Sequence, residues 1–585
     1  MNNILAYIKG KIAASNAVLL PIAAFMLPMA MLTTACSEML ENDSEIVEST
    51  EDNKLDTPED TLHSTLGIIR QMQVIADRNL LLGELRGDLM VTTDKATTDI
   101  KKMAAFDFNG NNAYNKVADY YAIINSCNYF IANADVNLMK LSKKIFDKEF
   151  AAVKTYRAWT YLQLAKIYGN VPLVTEPILT ENDAQQEINK QYSGIKDICN
   201  YFIEDLKPYV DTEMPNYDQM GDFQSRKFFI PVRVLLGEMC LWAGRYQEAC
   251  EYFANYLTKK TSPIPTYVNS TSWNVTNLDF TTAYISNSFL TSVSSPNGSE
   301  IISFIPMETS EFYGVKSFIE DVYESNENNN YYFQATPSPA MRELSAAENY
   351  CLVDQTSDTQ KDTVYAPKTN LPNSITAGDL RLSVSYGSSV SNQDEYSEDA
   401  SDRQTINKVT SEALTIYRVQ RVYLLFAEAL CRAGYPESAF CILKYGLYRQ
   451  AMERYISPAE RERAGSLLAF NDESFDEYTC QGIHARGCGD VECDTLYCLP
   501  QPETALASYE DTVQYQIPLL EDMIVREMAL EGAFEGWRYY DLMRIALRRN
   551  DASYLAAPIA KRSGSIDNAL YNMLMEQKNW YLPLQ

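Results

Sequence analysis

The sequence predicts a mostly α-helical protein, a scaffold of helical pairs carrying an inserted loop-rich region. Three observations lead there. Aromatic and aliphatic residues recur at helical spacing through Glu149–Tyr168 (EFAAVKTYRAWTYLQLAKIY), and Gly169 and Pro172 then stop the helix. Two segments 190 residues apart, LGEMCLWAGRYQEA (Leu236–Ala249) and FAEALCRAGYPESA (Phe426–Ala439), share one pattern. Between them, from about Lys260 to Lys408, periodicity is lost and Ser, Thr, Asn, Pro and Tyr dominate.

The N-terminus has its own logic. Met1 to Lys11 carries Lys9 and Lys11 and no acid, and Ile12 to Ala35 carries no charge. A positive start, an apolar middle and a small-residue exit are the layout of a secretory signal peptide. The run is long enough to span a bilayer, but Pro21 and Pro28 weaken it as a plain anchor. Leu32 followed by Thr33-Thr34-Ala35-Cys36 resembles the lipobox of bacterial lipoproteins, so residues 1–35 are expected to be removed and Cys36 to be lipidated. Residues 36–57 are acidic and aperiodic, the composition of a tether.

The folded body divides into a helical region at 58–260, the insertion at 261–408 and a second helical region at 409–585. Ile416–Leu430 steps its apolar positions by three and four, and Glu521–Arg548 reads as one further long helix. The two similar segments each place a small residue second (Gly237, Ala427) and a glutamate next (Glu238, Glu428). Each then has Ala-Gly, and an alanine five residues after the glycine. This resembles the tetratricopeptide pattern, in which small residues let antiparallel helices approach and units must stack to bury their faces. Loops carried on such a scaffold are where ligand binding is expected.

Charge excludes one partner class. The 585-residue chain has a formal charge of -28, and removing residues 1–35 takes two lysines and no acid. A field of that sign repels phosphate backbones, so nucleic acid is not a partner, and anionic lipid offers no attraction. Anchoring therefore falls to the acyl chain. Of the 12 cysteines, Cys127, Cys199, Cys240, Cys250, Cys431 and Cys441 lie in apolar, helix-like stretches and read as small core residues. Cys480, Cys488, Cys493 and Cys498 cluster without a CxxC pair, which disfavours zinc and leaves one local disulfide open.

Several motifs, in order, resemble those of the SusD/RagB family of outer-membrane lipoproteins. They are GELRGDLM (Gly83–Met90), Tyr156-Arg157-Ala158 with YGNVPLV (Tyr168–Val174), GDLR (Gly378–Arg381), IYRVQRVYLLFAEALCRAG (Ile416–Gly434) and GIHARGCGD (Gly482–Asp490). The last block is Glu531, Glu535-Gly536, Arg538, Asp541-Leu542 and Arg544. Two positions depart from the family pattern: Met528 stands where an arginine is usual, and Ala152 where a glutamate is common. The resemblance implies four tetratricopeptide-like helix pairs supporting a ligand-binding loop region. It also implies a lid-like placement over a SusC-like TonB-dependent transporter in the outer membrane, held by the lipid at the cell surface, with a glycan or peptide nutrient as ligand.

Chemistry is sparse. Glu527, Glu531 and Arg538 share a helix face with Glu535 close by, and paired carboxylates are what a glycosidase uses. Phe534 and Ile545 share that face, so the charges are expected to be buried and paired, with Arg538 reaching Glu535 and Asp541. His63 and His484 are the only histidines, His484 is expected to order its loop, and HExxH, GxSxG, Walker and GxGxxG motifs are absent. No catalytic residue, metal or cofactor is expected. For a sugar ligand, flat rings stack on C–H faces while polar groups bond the hydroxyl edges. The candidates are Tyr267, Trp273, Tyr284, Tyr313, Tyr331 and Tyr332, with Arg86 and Asp88 from the first motif.

Overall fold

A computed structural model describes residues 55, 58–108, 112–140, 142–258, 273–275, 283–285, 293–323, 333–357, 360–365, 378–388, 404–471, 475, 481–490 and 493–584. Cys36, the tether up to residue 54, and Cys480 lie outside them. The principal helices, numbered in chain order, are α1 (Pro58–Glu84), α2 (Val117–Asn133), α3 (Asp147–Tyr168), α4 (Ile195–Leu206), α5 (Val232–Ala243) and α6 (Tyr246–Thr258). They continue with α7 (Val419–Arg432), α8 (Pro436–Lys444), α9 (Tyr509–Gly532), α10 (Arg538–Arg549), α11 (Ser553–Lys561) and α12 (Asn568–Leu574). None of the described helices is long and apolar enough to cross a membrane.

Helices α1 to α8 pack one on the next, which makes four successive pairs, and α10 returns to close against α1. The two similar sequence segments form α5/α6 and α7/α8, and α6 packs on α7, so the repeats sit side by side despite their separation in the chain. Gly244 and Gly434 make their turns at φ 79° and 87°. A side chain at Gly237 would run into the Phe253 ring, which explains the small residue at that position. Helix α3 is buried along nearly its whole length and ends at Gly169 with φ 75°.

Two expected helices differ. Ile416 belongs to a strand, β2 (Ala413–Arg418), which pairs antiparallel with β1 (Ile301–Pro306), and α7 starts only at Val419. The β-branched and aromatic residues of ALTIYR serve a buried strand as well as a helix face. The expected helix Glu521–Arg548 is two helices, because Phe534 and Gly536 take φ 71° and 84° and the chain turns between α9 and α10.

That break is a joint. Glu84, at the end of α1, accepts from the backbone N–H of Phe534 and of Gly536, both at 2.9 Å. Asp88 grips Arg538 with two bonds of 2.6 and 2.9 Å. Gly83 lies so close to the break that a Cβ there would sit 1.7 Å from the Gly536 carbonyl oxygen. Gly83→Ala is therefore expected to destabilise the fold by about 2 kcal/mol or more, since α1 must back away from the joint. The check is the urea midpoint of the variant, and an unchanged midpoint would contradict the packing.

The insertion is not a separate appendage. All six residues of β1 are buried, and Asp379 and Arg381 reach the centre of the molecule. The six cysteines expected in the core are buried free thiols; Cys488 and Cys498 are also free thiols. Burial pushes the Cys127 and Cys240 thiols up to about 12, so neither is nucleophilic at neutral pH.

Candidate binding face

The family-like motifs converge inside the protein. Arg86 is fully buried: it donates to Leu82 O at 2.8 Å, Trp580 O at 3.1 Å and Tyr540 Oη at 3.1 Å. Its guanidinium also lies 4.1 Å from the Tyr539 ring centre. Asp88 is 6% exposed and committed to Arg538. These two expected ligand contacts are thus corrected to interior braces. Arg157 likewise bonds Asn128 Oδ1 at 2.9 Å and Asp205 Oδ2 at 3.0 Å, tying α3 to α2 and α4.

The carboxylates of α9 and of the break that follows it form an ion network. Glu531 accepts from Arg418 and Arg381, each at 2.7 Å. Glu535 takes Arg418 at 2.7 Å and Lys408 at 2.6 Å, and Glu527 takes Arg381 at 2.5 Å. His484, buried, stacks on Tyr497 and places Nδ1 2.9 Å from Glu527. Burial pushes the Glu531 carboxyl up, but Arg486, Arg418, Arg381 and Lys408 outweigh it and hold it below the usual range. Glu527 and Glu535 are held low by the same balance. A glycosidase acid needs a raised pKa and a path to substrate; these groups have neither. The expectation of paired, buried charges holds, with different partners: Arg538 meets Asp88, while Asp541 meets Arg421 and Arg544. The glutamates of the repeats enter the same scheme, Glu428 binding Arg544 and Arg548, and Glu238 accepting from Tyr417 Oη.

Of the aromatic candidates, Tyr313 is placed at the surface, 82% exposed. Arg70, exposed on α1, lies 4.6 Å from its ring centre. The loop that carries Tyr313 is fastened to α1 at two levels. Gln73 Oε1 accepts from Val315 N at 3.0 Å, and its Nε2 donates to Pro306 O. One turn on, Asp77 accepts from Ser317 Oγ at 2.7 Å and from Phe318 N at 2.8 Å. A side chain at Gly314 would strike the Gln73 amide. Burial pushes Asp77 up to about 6, against those two bonds. The result is a rigid face on which Tyr313, Arg70, Val74 and Phe318 reach solvent. Tyr114 packs 6.4 Å from the Phe318 ring. Such a face offers a flat apolar ring and a bidentate donor side by side.

The remaining candidates do not join it within the described residues. Tyr267, Tyr331 and Tyr332 lie outside them, and Trp273 and Tyr284 are placed by backbone only, in paired strands Trp273–Val275 and Ala283–Ile285. Arg70, Val74 and Phe318 were missed in the sequence. Their signal was faint: Arg70 and Val74 stand four apart on α1, and EFYGVKSF places two rings five residues apart. A groove of about 940 Å³ lies elsewhere, between Gly169-Asn170, the start of α4 and the C-terminal segment. Its rim carries Lys196, Asp197 and Lys578, and of its tyrosines Tyr168 is buried and Tyr581 partly covered, so it lacks the exposed ring of the Tyr313 face.

No protein-family model and no curated protein matches the chain. Solved structures do match its fold. A SusD superfamily protein from Bacteroides vulgatus superposes with a TM-score of 0.55 at 15% identity, covering 90% of this chain and 95% of that one. A SusD-like carbohydrate binding protein from Bacteroides fragilis gives 0.53 at 13%, covering 85% and 88%. A SusD superfamily protein from Bacteroides thetaiotaomicron gives 0.52 at 15%, covering 84% and 89%. The expected helical architecture is therefore shared with SusD-type structures over nearly the full length of each.

Proposed function

We propose that this chain, folded as the SusD superfamily structures are, is a lipid-anchored surface protein that captures a glycan and passes it to a SusC-like TonB-dependent transporter. The observation that carries the reading is the Tyr313 face: an open aromatic ring beside Arg70, on a loop that Gln73 and Asp77 fix to α1. A sugar's C–H face stacks on Tyr313 and its hydroxyl edge accepts from Arg70. Because the loop is held before the ligand arrives, little ordering entropy opposes binding. The description of the Bacteroides fragilis structure as carbohydrate binding supports the same ligand class. The low-pKa, fully paired carboxylates of α9 favour capture without turnover. Cys36 would carry the acyl chain, with residues 36–57 as the spacer.

The test is a glycan and peptide array probed with the protein lacking residues 1–36. A glycan hit is expected, with Tyr313→Ala weakening it about three- to tenfold, the value of one stacked ring. The melting temperature should not move, since Tyr313 covers nothing in the core. Peptide hits alone would replace the glycan by a peptide, and hydrolysis of any hit would overturn the binding reading. Incorporation of labelled palmitate by the full chain, lost in Cys36→Ser, checks the anchor.

A further inference from the structure

The loop Gly482–Asp490 brings two metal-ligating side chains against a third, Glu348, from far away in the sequence. His484 and Cys488 stand four residues apart across the single turn Ala485–Cys488, with Cys488 N bonded to His484 O at 3.1 Å. That spacing puts imidazole and thiol on one side of the turn. Glu348, from the segment after the short helix Pro339–Ala347, reaches the same point. The donor atoms of the three residues lie within 4.8 Å of one another, and His484 Nε2 is 4.0 Å from Glu348 Oε2.

We propose that Glu348, His484 and Cys488 form a binding site for a zinc-class divalent cation. Zinc is bound by thiolate, imidazole and carboxylate at about 2.0–2.3 Å, so the donors need to close in by less than about 1 Å. The ring is already set for the task. Its Nδ1 is committed to Glu527 at 2.9 Å, and its plane is stacked on Tyr497 with centres 3.7 Å apart and 2° between planes. Nε2 is thereby left facing Glu348 and Cys488. A carboxylate on the far nitrogen is the arrangement that orients a metal-bound histidine and raises its basicity. Glu527 is itself anchored by Arg381, and Asp379 Oδ2 stands 3.7 Å from Cys488 Sγ. All three ligand residues are under a tenth exposed, so the cation would be enclosed as the chain folds.

On binding, the Cys488 thiol would release its proton to solvent, and the sulfur, the imidazole Nε2 and the Glu348 carboxylate would each donate one electron pair to the cation. The bound ion would staple the chain around Glu348 to the loop and, through Glu527, to α9. The sequence hid this site because its ligands come from positions 348, 484 and 488 rather than from a CxxC pair. The same geometry without a metal would hold a doubly protonated ring between Glu527 and Glu348, and the two states are separable by measurement.

The full chain is purified in detergent, without a histidine tag, from zinc-supplemented medium. About one zinc per chain is expected to survive dialysis. Cobalt grown in its place should give the near-ultraviolet thiolate-to-cobalt charge-transfer band. Cys488→Ala should remove that band, and His484→Gln should lower the retained metal at least tenfold, with circular dichroism confirming the fold. Wild-type protein that holds no stoichiometric zinc and shows no thiolate band would overturn the proposal, whatever the variants do. A Cys488→Ala variant with the wild-type spectrum would overturn it equally.

Discussion

Replacing Glu531 by alanine is expected to cost the fold about 3–5 kcal/mol, the range for removing one member of a buried charge pair. Glu531 has no solvent exposure, and its two oxygens serve Arg418 and Arg381. Both guanidiniums are almost fully buried, and neither can lose its proton to escape. Arg418 keeps Glu535, and Arg381 keeps Asp379 and Glu527, yet each is left with an unmatched share of charge. Glu531→Gln keeps the shape and still loses the charge, so it should fall between wild type and alanine. Urea titration measures both. A midpoint for Glu531→Ala within error of wild type would show that the network does not hold α9 to the insertion.

Stability is expected to peak in mildly acidic solution and to fall on both sides. Burial raises Glu84 from 4.5 to about 8, against its two backbone bonds and Lys408, and raises Asp77 from 3.8 to about 6. For an acid raised in the folded state, the protonated form is the one the fold favours. Its contribution is complete below the unfolded pKa and is lost as pH rises through the folded one. Glu428 runs the other way. Burial raises it, but Arg544 and Arg548 outweigh burial and bring it to about 2. Its contribution is present above 4.5 and is lost as pH falls toward 2. For these three groups the optimum should therefore lie near pH 4, and the arm from Glu84 amounts to about 5 kcal/mol. Chemical denaturation at successive pH values checks the curve. Glu84→Gln, which stays neutral, should flatten the decline between about pH 4.5 and 8; an unchanged slope would assign that arm to another group.

Much of the architecture was legible because it rests on local signals. The helical spacing of Glu149–Tyr168, and the shared small residues and Ala-Gly turns of the two repeats, need only chain geometry to be read. The misreadings fall where distant contacts overrule such patterns. Ile416 is a strand residue because β1 arrives from the insertion to pair with it. The run Glu521–Arg548 breaks because Gly83 and Glu84 of α1 press on Gly536 and take the freed amides. The site was less legible. Arg86 and Asp88 looked like ligand contacts because charged residues in a compact motif usually face solvent, whereas here their partners, Trp580, Tyr540 and Arg538, come from the opposite end of the chain. Arg70 gave almost no signal, since nothing local marks one helix arginine as standing beside a tyrosine 243 positions away.

The sequence alone determined the helical class, the two repeated pairs and the burial of the α9 charges, because periodicity, small-residue spacing and charge pattern act over a few turns of chain. The tertiary structure decided which charges meet, where α9 ends, which tyrosine reaches solvent and which three residues gather at His484. Those depend on segments hundreds of residues apart arriving at one place, and that arrival is set by packing of the whole core, which no short window of sequence contains.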